Sequence, residues 1–168
     1  MVDPLKSLVI VSSFHHGNTE RIAHAFAGIL HARVVAPQRV EPEELKEYGL
    51  VGFGSGIDSG RHYRPLLDLV DALPHAPGAK AFLFSTCGAP VSLVGNRYIE
   101  GYAVESHAAL REKLVSRGYV VCGEFSCAGF NTNSFLRLFG GLNRGRPDAA
   151  DLGRAEGFAR GLIGKARG

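Results

Sequence analysis

Short apolar runs alternate along the chain with longer segments of helical periodicity. "LKSLVIVSS" (5–13) reads as a buried strand, and "NTERIAHAFAGILHA" (18–32) sets Ile22, Phe26, Ile29 and Leu30 on one helical stripe. "RVVAP" (33–37) is a short second strand, and the acidic "EPEELKEYG" (41–49) is a connector or a single helical turn. "LVGFGSG" (50–56) is a third strand ending in glycines. "HYRPLLDLVDAL" (62–73) follows as a helix, with Pro65 in the first turn, where a missing N–H is tolerated. A fourth strand lies at "KAFLFST" (80–86), a helix closed by Gly118 at "ESHAALREKLVSRG" (105–118), and a fifth strand at "YVVCGEFSC" (119–127). The last helix, "DAADLGRAEGFARGLIGKA" (148–166), has Asp148 as its cap, and Gly153, Gly157 and Gly161 weaken it.

Strands separated by helices predict a parallel sheet covered on both faces, because right-handed crossovers place helices on both sides. Five strands in the order 2-1-3-4-5 make a three-layer α/β sandwich, and residues 1–168 read as one domain. In such sheets ligands bind beyond the carboxyl ends of the strands, beside the point where strand order reverses. The loops after strands one, three and four are therefore expected to form the site.

The first of these, "SSFHHGNT" (12–19), joins hydroxyls and a glycine to the first turn of a helix. Free amides and the helix dipole favour a phosphate there, with Ser12, Ser13 and Thr19 as further donors. His15 and His16 either answer the phosphate charge when protonated or are plain loop residues. The turn lacks the GK[ST] of a P-loop and the three glycines of a dinucleotide fingerprint, which argues against a nucleoside triphosphate or NAD as main ligand. The second loop, "GSGIDSGRHY" (54–63), lets backbone approach a flat ligand through its glycines and ends in Tyr63, a stacking face or a core-edge aromatic. The third, "STCGAPVSLVGNRY" (85–98), repeats small residues and ends in Tyr98. Arg61, His62 and Arg97 bring positive charge to these loops, and His62 is either a proton donor or a packing residue at the helix start. Three such loops at one sheet edge point to a phosphorylated planar ligand.

Composition narrows the field. The three cysteines form neither a CxxC pair nor an even disulfide set, and the seven histidines are scattered apart from His15–His16, so no metal centre is expected. Net charge is +3, without a run of five like charges, which reads as a mildly basic solvated face rather than a nucleic-acid surface. No 18-residue apolar run occurs and "MVDPLKS" lacks a secretion signal, so a cytoplasmic location without a membrane span is expected.

The first loop resembles the flavodoxin pattern Ser/Thr-x-Thr-Gly-x-Thr, with Gly17, Asn18 and Thr19 matching and His16 standing where that pattern has threonine. "GSGIDSGRHYRPLLDLV", "KAFLFSTCG" and "GEFSCAGFNTNSFLRLFGGLNRGRPDAADL" are similar to a less characterised branch of flavodoxin-domain proteins, and the middle loop also resembles flavodoxin-like protoporphyrinogen oxidase. The resemblance covers nearly the whole chain. It implies a flavodoxin-like fold and FMN, with the phosphate at Ser12, Ser13, His15, His16, Gly17, Asn18 and Thr19. The isoalloxazine would lie between Ser55, Gly56, Ile57, Asp58, Ser59, Gly60 and Tyr63 on one side and Ser85, Thr86, Cys87, Gly88 and Tyr98 on the other.

A flavin carries its own redox chemistry, so no catalytic triad is expected. Cys87 is either a redox thiol beside the ring or a small residue in a tight turn. "CAGFNTNSFLRLFGGLNRGRP" is too long for an ordinary strand-to-helix turn, and its Phe130, Phe135, Leu136, Leu138 and Phe139 suggest a packed short helix or a partner-facing flap. The expected function is electron transfer to redox partner proteins. The alternatives are an FMN-dependent oxidoreductase acting on a quinone, porphyrinogen or other small acceptor, and a flavodoxin-fold interaction module without flavin. Electron-carrying flavodoxins are usually strongly acidic, and this chain is not.

Overall fold

The computed structural model describes residues 5–168, apart from the side chain of Ser134. Its strands are β1 (Ser7–Ser12), β2 (Arg33–Val35), β3 (Leu50–Asp58), β4 (Arg61–His62), β5 (Lys80–Cys87) and β6 (Val120–Ala128). Its helices are α1 (Asn18–Leu30), α2 (Arg64–Asp71), α3 (Val91–Ser106), α4 (Ala108–Ser116) and α5 (Ala149–Arg167). The parallel strands run in the order β2-β1-β3-β5-β6, with β4 antiparallel to β3. Leaving the two-residue β4 aside, this is the expected 2-1-3-4-5 order. Strands β1, β3 and β5 are near-continuous apolar runs, as a sheet covered on both faces requires.

One face carries α1 and α5, and the other α2 and α4. On the first, Gly52 and Gly54 of β3 leave the space that Phe82 and Phe84 of β5 occupy, since a Cβ at either glycine would overlap the neighbouring ring. Phe26 of α1 meets both rings edge-on at 5.3 and 5.0 Å. Small residues of α5, Ala155 and Ala159, with Leu162, close this layer. On the other face Leu8, Ile10, Val51, Phe53 and Leu83 pack against Leu66, Leu69 and Val70 of α2 and Leu110 and Leu114 of α4.

Four boundaries depart from the sequence reading. The helix expected over 62–73 begins at Arg64, because Arg61 and His62 turn back to pair with Asp58 and Ile57. Ser59 and Gly60 form the tip with φ of 51° and 75°, the two positive-φ positions of a tight hairpin, so β3 also runs past 56 to Asp58. The segment after Cys87 is largely helical rather than loop: α3 starts at Val91, breaks its helical backbone at Gly95 (φ 75°) and ends at Ser106. The helix expected over 105–118 is thus the end of α3 and the separate α4. Asp148 does cap α5, accepting from the Asp151 amide at 3.0 Å while its own amide donates to Asp151 Oδ2.

Candidate functional site

The β1–α1 turn is shaped for an anion. His16 and Gly17 both adopt left-handed backbone (φ 55° and 65°), which swings the chain from strand into helix and brings consecutive amides to the N-terminus of α1. Asn18 N–H bonds His15 O at 3.4 Å, and no side chain caps the helix. The amides of Thr19 and Glu20 are thus left without a side-chain cap among the described residues, and the helix dipole points at the turn.

The long segment after β6 folds over this turn. Asn18 Nδ2 donates to Phe130 O at 2.8 Å, His16 Nε2 lies 2.7 Å from Thr132 Oγ1, and the His16 and Phe130 rings sit 4.6 Å apart. Asn143, with φ 55°, clamps the segment to the third loop: its Nδ2 donates to Ala89 O (2.7 Å) and Gly129 O (3.1 Å), and its Oδ1 accepts from Val91 N–H (3.0 Å). Arg146 anchors the far end on the buried carboxylate of Asp151, bonding Oδ1 at 2.9 Å. Sequence reasoning singled out this segment but missed Asn131 and Asn143. Asparagines inside a glycine-rich stretch are turn-formers, which was the available signal.

Between the loops lies a cleft in three connecting parts. The narrow centre, about 70 Å³, is lined by Ser13, His15, Asn18, Gly56, Ile57, Tyr63, Thr86, Cys87 and Gly88 of the expected set, joined by Gly129, Phe130, Asn131 and Asn133. One side opens to about 640 Å³ beside Phe14, Asp58, Tyr63 and Arg64, and the other to about 350 Å³ beside Cys87, Ala89, Tyr98 and Tyr102. Tyr63 stands directly over Gly56, where a Cβ would overlap its hydroxyl, and its ring lies 5.1 Å from that of Phe14. Asn131 covers Gly88 in the same way. Both glycines are therefore required by close approach rather than by flexibility.

The remaining expected residues serve around this cleft. Ser12 faces a separate hollow toward β2, shared with Ser13, Glu20 and Gln38. Thr19 is buried and its Oγ1 lies 2.8 Å from Thr86 Oγ1, tying the first loop to the third. His16 and Gly17 shape the turn, and Ser59 and Gly60 form the hairpin tip. Arg61 and Arg97 are exposed and line none of the three parts. Burial pushes the Cys87 thiol up, with a backbone hydrogen bond at Ala89 opposing it, so the sulfur stays protonated and is no activated nucleophile. Burial, with the nearby Asp58 charge second, also raises the Tyr63 phenol.

Ser55 and Ser85 lie beneath the cleft in a polar layer. Ser12, Ser55, Ser85 and Ser126 are in register across β1, β3, β5 and β6. Ser55 Oγ donates to Gly56 O (2.7 Å), accepts from Tyr63 N–H (3.0 Å) and meets His62 Nδ1 at 2.8 Å, so it fixes both ends of the hairpin. The His62 ring lies 4.8 Å from that of His107, the two planes tilted by 33°. His107 bridges Ser85 Oγ (2.8 Å) and Glu124 Oε2 (2.9 Å), and Arg111 grips both oxygens of Glu124. Burial works against the ionised Glu124, but hydrogen bonds from His107 and Arg111 hold its carboxyl at about 2. Burial first, and the His107 charge second, drive His62 well below the usual imidazole range, and Glu124 only partly offsets them. Ser85, His107 and Glu124 have the order of a hydrolase triad, yet Ser85 is fully buried and bonded to Ser126, so the set is scaffold rather than nucleophile.

Among the described residues no three His, Cys, Asp or Glu side chains converge as a metal site, and no helix is long and apolar enough to cross a membrane. No model of a known protein family matches the chain. It is 36% identical over 159 residues to "Uncharacterized protein MJ0298" of Methanocaldococcus jannaschii, covering 95% of this chain and 99% of that protein. Among solved structures, it superposes on a flavodoxin from the domain Archaea with a TM-score of 0.70 at 18% identity, covering 97% of this chain and 99% of the other. Oxidised Flavodoxin 2 from Bacillus cereus gives a TM-score of 0.68 at 20% identity, with 95% and 99% covered.

Proposed function

From the premise that the chain belongs to a flavodoxin-like family together with the archaeal protein MJ0298, we propose that it binds FMN and transfers electrons to redox partner proteins. The observation that carries this reading is the juxtaposition of an open, left-handed turn at a helix N-terminus with a cleft walled by aromatic and glycine-bearing loops. The phosphate is assigned to the amides around His15–Glu20, with Ser13 supplying a hydroxyl nearby, while Ser12 faces the neighbouring hollow and Thr19 ties the first loop to the third. The ring is assigned to the space bounded by Ile57, Asp58 and Tyr63 on one side and Thr86, Cys87, Gly88 and Tyr98 on the other.

FMN supplies the redox chemistry when bound. The chain's own residues position and shield it: Tyr63 and Phe14 present an aromatic edge, Asn131 and Asn133 close the cleft from above, and Ser55 holds the hairpin floor. Cys87 packs as a small protonated residue. Cys87, Cys122 and Cys127 are unpaired, which suits the reducing cytoplasm.

The absorption spectrum of the purified protein, with release and identification of the cofactor, tests this reading. A flavin spectrum yielding FMN supports it, and a colourless protein that takes up no added FMN favours an interaction module. Turnover of NAD(P)H with a quinone and no second protein would favour an oxidoreductase over a carrier.

A further inference from the structure

The mouth of the cleft is bordered by large apolar side chains that the fold leaves in solvent. Phe14 lines one side of the cleft and Tyr98 the other, and both are exposed; Leu93 is exposed on the helix that carries Tyr98, and the segment after β6, whose Asn131 and Asn133 line the cleft, exposes Phe135, Leu138 (83% exposed) and Phe139 (81% exposed). The two phenylalanines pack edge-on at 6.5 Å, so the tip is a formed apolar knob. Asn131 and Asn133 line the cleft itself, and the chain passes directly from them into this knob. Single exposed apolar residues are ordinary on a monomer, whereas a cluster beside a cleft marks a contact surface.

Charge on the same segment has one sign. Residues 128–147 contain Arg137, Arg144 and Arg146 and neither Asp nor Glu. Arg146 is engaged with Asp148 and Asp151, whereas Arg137, Arg144 and the neighbouring Arg97 are exposed and have no carboxylate partner among the described residues. Among the described residues, Asp58 is the one carboxylate lining the cleft.

We propose that this apolar, arginine-bearing rim docks an acidic electron-carrier protein. The proposal rests on the flavin reading for its purpose, because a protein exchanging electrons must bring its own redox centre to the cleft mouth. Free arginines flanking an apolar knob match a partner whose carboxylates ring an apolar centre, with the charges steering encounter and the knob holding the complex. A second copy of this chain fits poorly, since a two-fold contact through the same patch would set Arg137 and Arg144 against their equivalents.

The test is calorimetric titration with an acidic [2Fe–2S] ferredoxin, with basic cytochrome c as the opposite-charge control. The ferredoxin is expected to bind, to weaken about tenfold between roughly 50 and 300 mM salt, and to lose about tenfold or more with Arg137→Glu and Arg144→Glu combined. Leu138→Ser with Phe139→Ser should weaken binding while preserving its salt dependence. Neither double variant should alter the flavin spectrum. No ferredoxin binding, equal binding of cytochrome c, or full affinity in both variants would overturn the proposal. So would sedimentation with phosphatidylglycerol vesicles that disappears in Leu138→Ser with Phe139→Ser, which would assign the rim to a membrane surface. A colourless protein that still binds ferredoxin would remove the flavin reading and leave the docking surface, and a yellow protein indifferent to ferredoxin would do the reverse.

Discussion

Two neighbouring rows of the same sheet face behave differently. Ile10, Phe53 and Leu83 lie in register across β1, β3 and β5, all fully buried and apolar except where Glu124 ends the row on β6. Two residues along every strand, the row becomes Ser12, Ser55, Ser85 and Ser126. The first row packs against α2 and α4 and stabilises by removing apolar surface from water. The second gives up that contribution to place hydroxyls that hold loops: Ser55 fixes the hairpin, and Ser85 is held by His107. Within a single strand the chain passes from core to site scaffold in one side-chain repeat.

The contrast is broken most severely in the apolar row. Phe53→Ala removes a fully buried ring in edge contact with Tyr119 at 6.0 Å and should cost about 3–5 kcal/mol in chemical unfolding. In the serine row, Ser85→Ala strips a partner from both His107 and Ser126 and should cost roughly 1–3 kcal/mol, the penalty of leaving buried polar groups unmade.

The polar row also carries a pH signature that the apolar row lacks. His62 is buried with its imidazole pKa lowered, and its Nε2 has no hydrogen-bond partner. The folded state thus holds it neutral while the unfolded chain binds a proton below about pH 6.5. The sign is therefore loss of stability as pH falls through that range, with a slope approaching about 1.4 kcal/mol per pH unit for one proton. Thermal unfolding at about pH 7.5 and 5.5 should show this loss, and His62→Gln should flatten it. Glu124 acts in a lower window: its depressed carboxyl contributes above about pH 4.5, and that contribution fades as pH falls toward about 2. The smallest effect lies outside both rows. A Cβ at Gly157 of α5 would meet nothing within 4 Å, so Gly157→Ala should stabilise by about 0.5–1 kcal/mol and leave flavin binding unchanged.

The strand order and the three-loop edge were legible because buried parallel strands carry unmistakable apolar runs, and because the strand-to-helix turn announces itself in "SSFHHGNT". Helix α3 was not. Gly95 interrupts it, and its outward residues include Leu93, Tyr98 and Val104, so no clean amphipathic stripe marks it. The hairpin after β3 hid because the glycines of "GSGIDSGRHY" read as a loop letting backbone approach a ligand, when the left-handed backbones of Ser59 and Gly60 close a tight turn. His62 and His107 lie far apart in sequence, and only the stacking of β3, β5 and β6 brings their serine and glutamate partners beneath the cleft.

The central claim is that the β1–α1 turn holds a flavin phosphate, and it is tested most directly by titrating the flavin-free protein with FMN and with riboflavin while following flavin fluorescence. FMN should bind at least tenfold more tightly, about 1.4 kcal/mol or more, because riboflavin lacks the charge-assisted hydrogen bonds at the amides of the turn. Ser13→Ala should weaken FMN and leave riboflavin nearly unchanged. Equal affinities for the two ligands, or no binding of either, would contradict the account.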